Sequence, residues 1–260
     1  MPPDRSTDPD DYQALPRPLG AMAKRFPDGF RIAPHSHRRD QFVYAVRGTM
    51  RVHTGSDAWI VPPDRAVYLP SGVEHAIDIR GDVEMRTVYV APDAGPDLPV
   101  RPTVVEVGPL LRALILALVE EPVLYDEAGR GGAIADLILS EIGRARSLTL
   151  RVPMPADPRL RRVCEALLAD PSDPRGLDDW ALLAGASPRT LARLFEREVG
   201  LRFTAWRQRA RFHAALEDLV RGTPVALVAE RNGYRGPSAF AAAFRKVMGM
   251  APSAVGRSGG

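Results

Sequence analysis

The chain has 260 residues, a formal net charge of +3 and one cysteine, Cys164. The length suffices for two domains, each with its own core, and the lone cysteine excludes an intramolecular disulfide and a cysteine-based zinc cluster, so Cys164 reads as a small buried packing residue. No run of about 18 apolar residues and no basic start followed by an apolar stretch occurs, which argues against a membrane span, a membrane partner or a secretory signal and for a soluble, cytoplasmic protein.

Residues 1–20 are rich in Pro and Asp and lack a sustained apolar period, so a mobile tail is expected there. A β domain is expected over residues 21–100. From Phe30 to Val90 short apolar runs (QFVYAV, MRVHT, AWIVP, AVYLP, MRTVYV) alternate with Gly, Pro and Asp, the pattern of an all-β barrel or sandwich. Residues 92–102, PDAGPDLPVRP, cannot hold a helix and are expected to close the β region. Two amphipathic helices follow within residues 101–150, about Gly108–Glu121 and Gly132–Arg146. Leu110, Leu111, Leu114, Ile115 and Leu118 share one face of the first; Ile134, Leu137, Ile138 and Ile142 share one face of the second. These faces either cover the β domain or meet a second copy in a homodimer. The Pro-rich stretch 151–158 reads as a stiff, helix-free joint.

Residues 158–256 form an all-α domain whose pattern is written twice. Ala181 and Gly185 recur as Ala229 and Gly233, offset by 48 positions, and Pro188, Ala192, Phe195 and Gly200 recur as Pro237, Ala241, Phe244 and Gly249, offset by 49. The slip falls in the turn, where an insertion disturbs helix packing least. Arg159–Ala169 opens the domain as an amphipathic helix with Leu160, Val163, Leu167 and Leu168 inward. Asp178 and Asp179 begin the next helix and favour its positive end. Gly185 ends it, Ser187 caps the one after, and Pro188 is its first residue. There Leu191, Leu194 and Phe195 face inward. Arg189, Arg193 and Arg197, four apart, stack on one outer side with Thr190 near the start.

Such a stripe suits guanine O6 and N7 edges or phosphates, Arg189 and Arg193 being placed for bases and Arg197 for phosphate. Phe203–Val220 reads as a connecting helix, with Trp206, Ala210, Ala214 and Leu219 on or near its inner face. It would space the two units near one DNA turn, about 34 Å. The second unit starts at Pro224 and turns at Gly233. Its outer positions Ser238, Ala239 and Ala242 offer a hydroxyl and two methyls, suited to thymine methyls or DNA shape, while Arg235, Arg245 and Lys246 flank it as phosphate contacts.

Charge is divided accordingly. Residues 1–157 carry 18 Lys and Arg against 22 Asp and Glu, net −4, whereas residues 158–260 carry 17 against 10, net +7. A cationic half beside a mildly acidic one is what binding of a phosphate backbone requires.

WALLAGASPRTLARLFEREVG followed by VALVAERNGYRGPSAFAAAFRKVMGMAP resembles the DNA-binding domain of AraC/XylS-type transcription regulators across roughly residues 158–256. The resemblance implies sequence-specific binding of double-stranded promoter DNA by two helix-turn-helix units, a metal or small-molecule effector sensed by an N-terminal domain, and action on the transcription machinery. The second recognition face departs from the family in its alanines.

Four of the five histidines lie in the β region. His35 and His37, two apart, share one strand face; Gln41 lies four further on, and His75 follows the turn Pro70-Ser71-Gly72. Neutral imidazoles converging inside a barrel form a plausible site for one divalent transition metal, with Gln41 as a weak fourth ligand. The segments Gly29–Gly48 and Pro70–His75 resemble the two motifs of the cupin superfamily, small β-barrels of which many bind a metal through three His and one Glu. Gln41 stands where that Glu is usual and Asp64 where a glycine is usual. The alternative is that these residues line an organic-ligand pocket. Tyr44, Trp59, Tyr68 and Tyr89 either line the barrel mouth or belong to its core. His213 is expected to be structural, and His53 is given no role.

The fold expected is therefore α+β in two domains: a cupin-like β-barrel followed by two helices, then an all-α domain with two helix-turn-helix units. The leading reading is a DNA-binding regulator, not an enzyme, with coupling through the helices of residues 108–146. The rivals are a metal-dependent cupin oxygenase or isomerase with a nucleic-acid-binding appendage, for which Glu74, on the opposite strand face from His75, is a poor acid–base partner, and an architectural DNA-binding protein with an inert barrel.

Overall fold

The computed structural model describes residues 6–55, 57–63, 65–95, 97–148 and 151–255. The chain divides into two compact units, one formed by the residues up to Val52 and from Val61 through the end of the second helix and its following strand, the other by His53–Ile60 and the chain from Arg151 onward. Asp64 lies outside the described residues.

In the first unit β1 (Leu19–Phe26) pairs antiparallel with β6 (His75–Val90), in register from Leu19↔Val90 to Phe26↔Val83. The strand β2 (Arg31–His35) pairs with the first part of β6, bringing His35 opposite His75. Next along the sheet β3 (Asp40–Thr54) pairs with β5 (Arg65–Leu69), β5 with β7 (Thr103–Glu106), and β7 with β8 (Ser147–Leu148). Period-two alternation then sorts the side chains. Leu19, Ala21, Phe42, Tyr44, Ala66, Tyr68, Val88 and Val90 pack in one core with α1 (Pro109–Glu120) and α2 (Arg130–Arg144). Gln41, Val43, Val67, Leu69, Thr87 and Tyr89 alternate to the other face and are likewise buried.

The helices contribute Leu111, Leu114, Ile115 and Leu118 from α1 and Ile134, Ile138 and Ile142 from α2 to that core. Each such side chain removed from water stabilises the unit by about 1.5–3 kcal/mol. Both helices thus cover the sheet, as one of the two sequence readings held. Leu110 and Leu137, expected on the apolar faces, are 53% and 49% exposed and stand outside the core.

The second unit begins with β4 (Asp57–Val61), which pairs with β9 (Arg151–Pro153) from Asp57↔Pro153 to Trp59↔Arg151. Among the described residues six α-helices follow: α3 (Pro158–Ala169), α4 (Leu177–Leu183), α5 (Pro188–Val199), α6 (Phe203–Val220), α7 (Val225–Arg231) and α8 (Pro237–Met248). Val152 of β9 is buried with Leu160, Val163, Cys164, Leu167, Trp180, Leu191, Phe195 and Trp206. The Trp206 indole donates to the Pro153 carbonyl at 2.7 Å, fixing the start of α6 to the strand before α3. Cys164 is fully buried, and burial pushes its thiol pKa up, as an inert packing residue requires.

Several sequence expectations need correction. The tail expected over residues 1–20 contains an ordered 3-10 turn, Pro9–Tyr12, whose Tyr12 stacks on Tyr89 at 5.5 Å between ring centroids. The Arg39 guanidinium donates to the carbonyls of Leu15, Arg17 and Pro18 and holds the segment down. Single anchors of this kind leave no period to detect. The sheet begins at Leu19, before the apolar runs that mark it, and extends past residue 100, because the short run of β7 pairs with β5 across a long sequence gap. The joint 151–158 is helix-free until Pro158, but its first residues form β9.

Candidate functional site

The recognition geometry of the second unit follows from local chemistry. Gly185 takes φ +62°, a left-handed conformation that ends α4 and that residues with a Cβ rarely adopt. The Ser187 hydroxyl then accepts from the Thr190 N–H at 3.1 Å, and Pro188 opens α5. Leu191, Leu194 and Phe195 are buried, leaving Arg189, Arg193 and Arg197 exposed on the outer side. Among the described residues the Arg189 and Arg193 side chains make no ion pair or hydrogen bond, so both guanidiniums are available. Arg197 already pairs with Glu198 at 2.9 Å. Thr190 is half-buried with its hydroxyl 2.9 Å from that of Ser187, so it acts at least partly as a cap.

The repeat unit is built alike but capped differently. Gly233 takes φ +77° in the turn, Pro237 opens α8, and no side chain caps that helix. Phe240 and Phe244 are buried against Phe212 of α6, with ring centroids 5.8 and 5.5 Å away, and Tyr234 packs on Phe240 at 5.5 Å. Ser238, Ala239 and Ala242 face outward with Arg235, Arg245 and Lys246, all exposed. The Gln208 amide donates to the Tyr234 hydroxyl at 3.2 Å and ties α6 to this turn. Sequence reasoning missed that contact, which joins positions 26 apart with no motif to mark it. His213 is buried in α6, as a structural role requires.

In the first unit the structure brings His35, His37 and His75 together, but not on the strand face expected to carry the first two: β2 ends at His35 and His37 lies just beyond it. One ligand nitrogen from each lies within 4.8 Å of the other two. Ring nitrogens about 2.1 Å from a shared tetrahedral ion would be about 3.4 Å apart, so side-chain adjustments of about an ångström suffice. His35 Nδ1 lies 2.8 Å from the Ala33 carbonyl and His75 Nδ1 2.9 Å from the Val73 carbonyl. An N–H at Nδ1 satisfies each carbonyl and leaves the Nε2 lone pair free, the arrangement that metal-binding histidines use. His37 Nε2, His75 Nε2 and Gln41 Oε1 are buried with no hydrogen-bond partner, so their lone pairs suit a metal ion's coordination. Burial, then the neighbouring imidazoles of His35 and His75, pull the His37 pKa down to about 4. Burial also takes His75 to about 4, against the Val73 carbonyl, which raises it, and together with His35, which lowers it. Both are therefore neutral at pH 7, as ligation requires.

Of the four aromatics weighed from the sequence, Tyr44 and Tyr68 belong to the core shared with the helices; the Tyr68 hydroxyl donates to Asp40 and the Tyr44 hydroxyl accepts from Arg112. Trp59 is buried on β4. Tyr89 alone among them adjoins the cluster, its ring 5.2 Å from that of His37. Thr87, one alternation earlier on β6, is fully buried with its hydroxyl unpartnered and was not singled out from the sequence. Strand alternation from Tyr89 was the signal that could have found it. Glu74 is exposed, and the metal-competent cluster found among the described residues contains no carboxylate.

A family model described as a helix-turn-helix domain matches residues 180–258, and one described as a cupin domain matches residues 24–91. The HTH-type transcriptional regulator NimR of Escherichia coli is 31% identical over 218 residues, which cover 84% of this chain and 80% of NimR. The HTH-type transcriptional regulator RipA of Corynebacterium glutamicum is 35% identical over 112 residues, 42% of this chain and 34% of RipA. Among solved structures, the C-terminal domain of AraT, a response regulator from Geobacillus stearothermophilus, is 30% identical over 39% of this chain and 86% of that one, with a TM-score of 0.35.

Proposed function

The chain belongs to the AraC-type helix-turn-helix transcriptional regulators with an N-terminal cupin domain, and from that premise we propose a division of labour among its residues. Arg189 and Arg193 of α5 read base edges, with Thr190 beside them. Arg197, already paired with Glu198, is the weaker phosphate contact. From α8, Ser238, Ala239 and Ala242 present small groups to the groove while Arg235, Arg245 and Lys246 hold phosphates. The observation that carries this reading is the pair of unengaged, exposed guanidiniums at the start of a helix that opens just after a left-handed glycine turn. In this reading residues 158–256 bind the DNA.

The barrel is the sensor, and His35, His37 and His75, with Gln41 as a neutral oxygen donor, are the residues that would hold a divalent transition metal. Such an ion would supply a Lewis-acidic point for an effector to bind. A regulatory role is favoured over catalysis because the cluster offers no carboxylate for acid–base work. The exposed Leu110 and Leu137 remain candidates for a homodimer contact, and the output is contact with the transcription machinery in the cytoplasm.

The test is in vitro selection of a binding site from random duplex DNA, followed by footprinting, with metal content of chelator-free protein measured by elemental mass spectrometry. The reading expects an enriched sequence protected over two successive major grooves. It also expects about one equivalent of metal that a His35→Ala/His75→Ala protein lacks. Failure to enrich any sequence would sink the DNA assignment; metal-free protein that takes none up on titration would turn the histidines into pocket lining for an organic effector.

A further inference from the structure

We propose that the barrel takes its metal together with a small carboxylate, hydrogen-bonded by the hydroxyls of Thr87 and Tyr89, and that Gln41 is what makes this anion necessary. The proposal rests on the reading of His35, His37 and His75 as metal ligands.

Charge balance is the first argument. Three ligating imidazoles are neutral, and Gln41, 4% exposed, brings an amide and no charge. A divalent ion on these residues would keep its full charge where His37, His75 and Gln41 are buried and His35 half-buried, and charge withdrawn from water is disfavoured without a counter-charge. Among the described residues the histidine cluster contains no carboxylate. Asp40, beside Gln41 in sequence, is committed elsewhere: one carboxylate oxygen accepts from the Tyr68 hydroxyl at 2.5 Å and the other from the Ser71 N–H at 2.7 Å. Glu74, beside His75, is exposed.

Unmet hydrogen-bonding capacity is the second. The Thr87 hydroxyl and the Tyr89 hydroxyl, two residues apart on β6, are buried with no hydrogen-bond partner, as are His37 Nε2, His75 Nε2 and Gln41 Oε1. The Tyr89 ring packs edge-on against His37, and its hydroxyl lies beside the Gln41 amide without a bond of normal geometry. A metal ion satisfies lone pairs on nitrogen and amide oxygen, but it gives no acceptor to the two O–H donors. A carboxylate does both jobs: it brings one negative charge to the ion and accepts from the hydroxyls in charge-assisted hydrogen bonds. The ligand class is therefore a small organic acid, and metal uptake and acid uptake are mutually reinforcing, each raising the affinity for the other by the same factor.

The 260-residue chain, stripped with a chelator, is titrated calorimetrically with Mn2+ or Zn2+ in a non-coordinating buffer with perchlorate as the supporting salt, with and without acetate, which binds these ions only weakly in solution. Acetate is expected to tighten metal binding by the wild type about ten- to a hundredfold. Gln41→Glu should bind metal more tightly than the wild type without acetate and lose the acetate response, since it carries its own anion. Thr87→Val and Tyr89→Phe, which preserve shape, should lose most of that response. Metal binding by the wild type that is indifferent to acetate would overturn the proposal while leaving the metal reading intact. So would a full acetate response in Thr87→Val and Tyr89→Phe. Absence of uptake by the wild type and by Gln41→Glu under every condition would remove the metal reading and the proposal together.

Discussion

Arg193→Ala is the sharpest test of the proposed DNA interface, because the structure separates Arg193 from its neighbour one turn on. Arg193 is exposed and unengaged, so in the free protein it gives up no protein contact when it meets a base, and the whole of a lost bidentate contact should appear in the affinity. That loss is about 1–3 kcal/mol, or roughly 5- to 150-fold in Kd. Arg197 must first leave Glu198, 2.9 Å away. An exposed pair of this kind is worth about 0–1 kcal/mol, so part of any phosphate contact is offset and Arg197→Ala should cost less. The assay is fluorescence anisotropy on the selected operator and on single-base variants at fixed salt. Arg193→Ala should weaken the best operator most and flatten preference at one or two positions; Arg197→Ala should weaken all sequences alike. Wild-type affinity and base preference in Arg193→Ala, or a larger and sequence-dependent loss in Arg197→Ala, would refute the assignment.

Arg245→Ala and Lys246→Ala should each weaken binding evenly across sequences and reduce the slope of log K against log salt by about 1, read from a salt series; a change in base preference would instead make them base readers. Phe244→Ala removes a fully buried ring packed on Phe212 and Phe240. It should cost about 3–5 kcal/mol, seen as lost amide-exchange protection in α8 and a footprint reduced to one major groove; unchanged protection there would contradict the aromatic core. In the metal-free protein His37 and His75 have folded pKa values of about 4, below the unfolded value near 6.5. The unfolded chain therefore binds more protons between those limits, so stability is present above pH 6.5 and is lost as pH falls towards 4. Discounted for coupling between the two rings, the pair should cost about 2 kcal/mol from pH 7 to pH 5, measured by denaturant unfolding. A His37→Ala/His75→Ala protein with the same pH slope would remove the histidines as its cause.

The two halves were not equally legible in the sequence, and the reason is the range over which their information acts. Ser187, Pro188 and Gly200 mark the ends of α5 within a few residues of where they act, and Leu191, Leu194 and Phe195 declare its inner face by spacing alone. Helix caps and helical periodicity are local, so α3 to α8 and the outward arginines follow from short windows. Sheet membership is settled by partners far away. Thr103–Glu106 is a strand because β5 lies beside it, and Arg151–Pro153 because Asp57–Trp59 does, and neither short segment carries enough alternation to say so. The same limit applies to the histidine site. His35 and His37 stand two apart in sequence, but β2 ends at His35 and His37 lies just beyond it, so strand spacing does not by itself make the cluster. His75 meets His35 through the β2–β6 register, and Tyr89 comes against His37 from the far end of β6. Gln41 shows the converse. Its substitution for an acidic ligand was visible in sequence, yet its consequence depends on the absence of any buried carboxylate from the cluster and on two unpartnered hydroxyls, which only the folded arrangement reveals. Sequence thus names the atoms that could act, and the long-range pairing decides which of them meet.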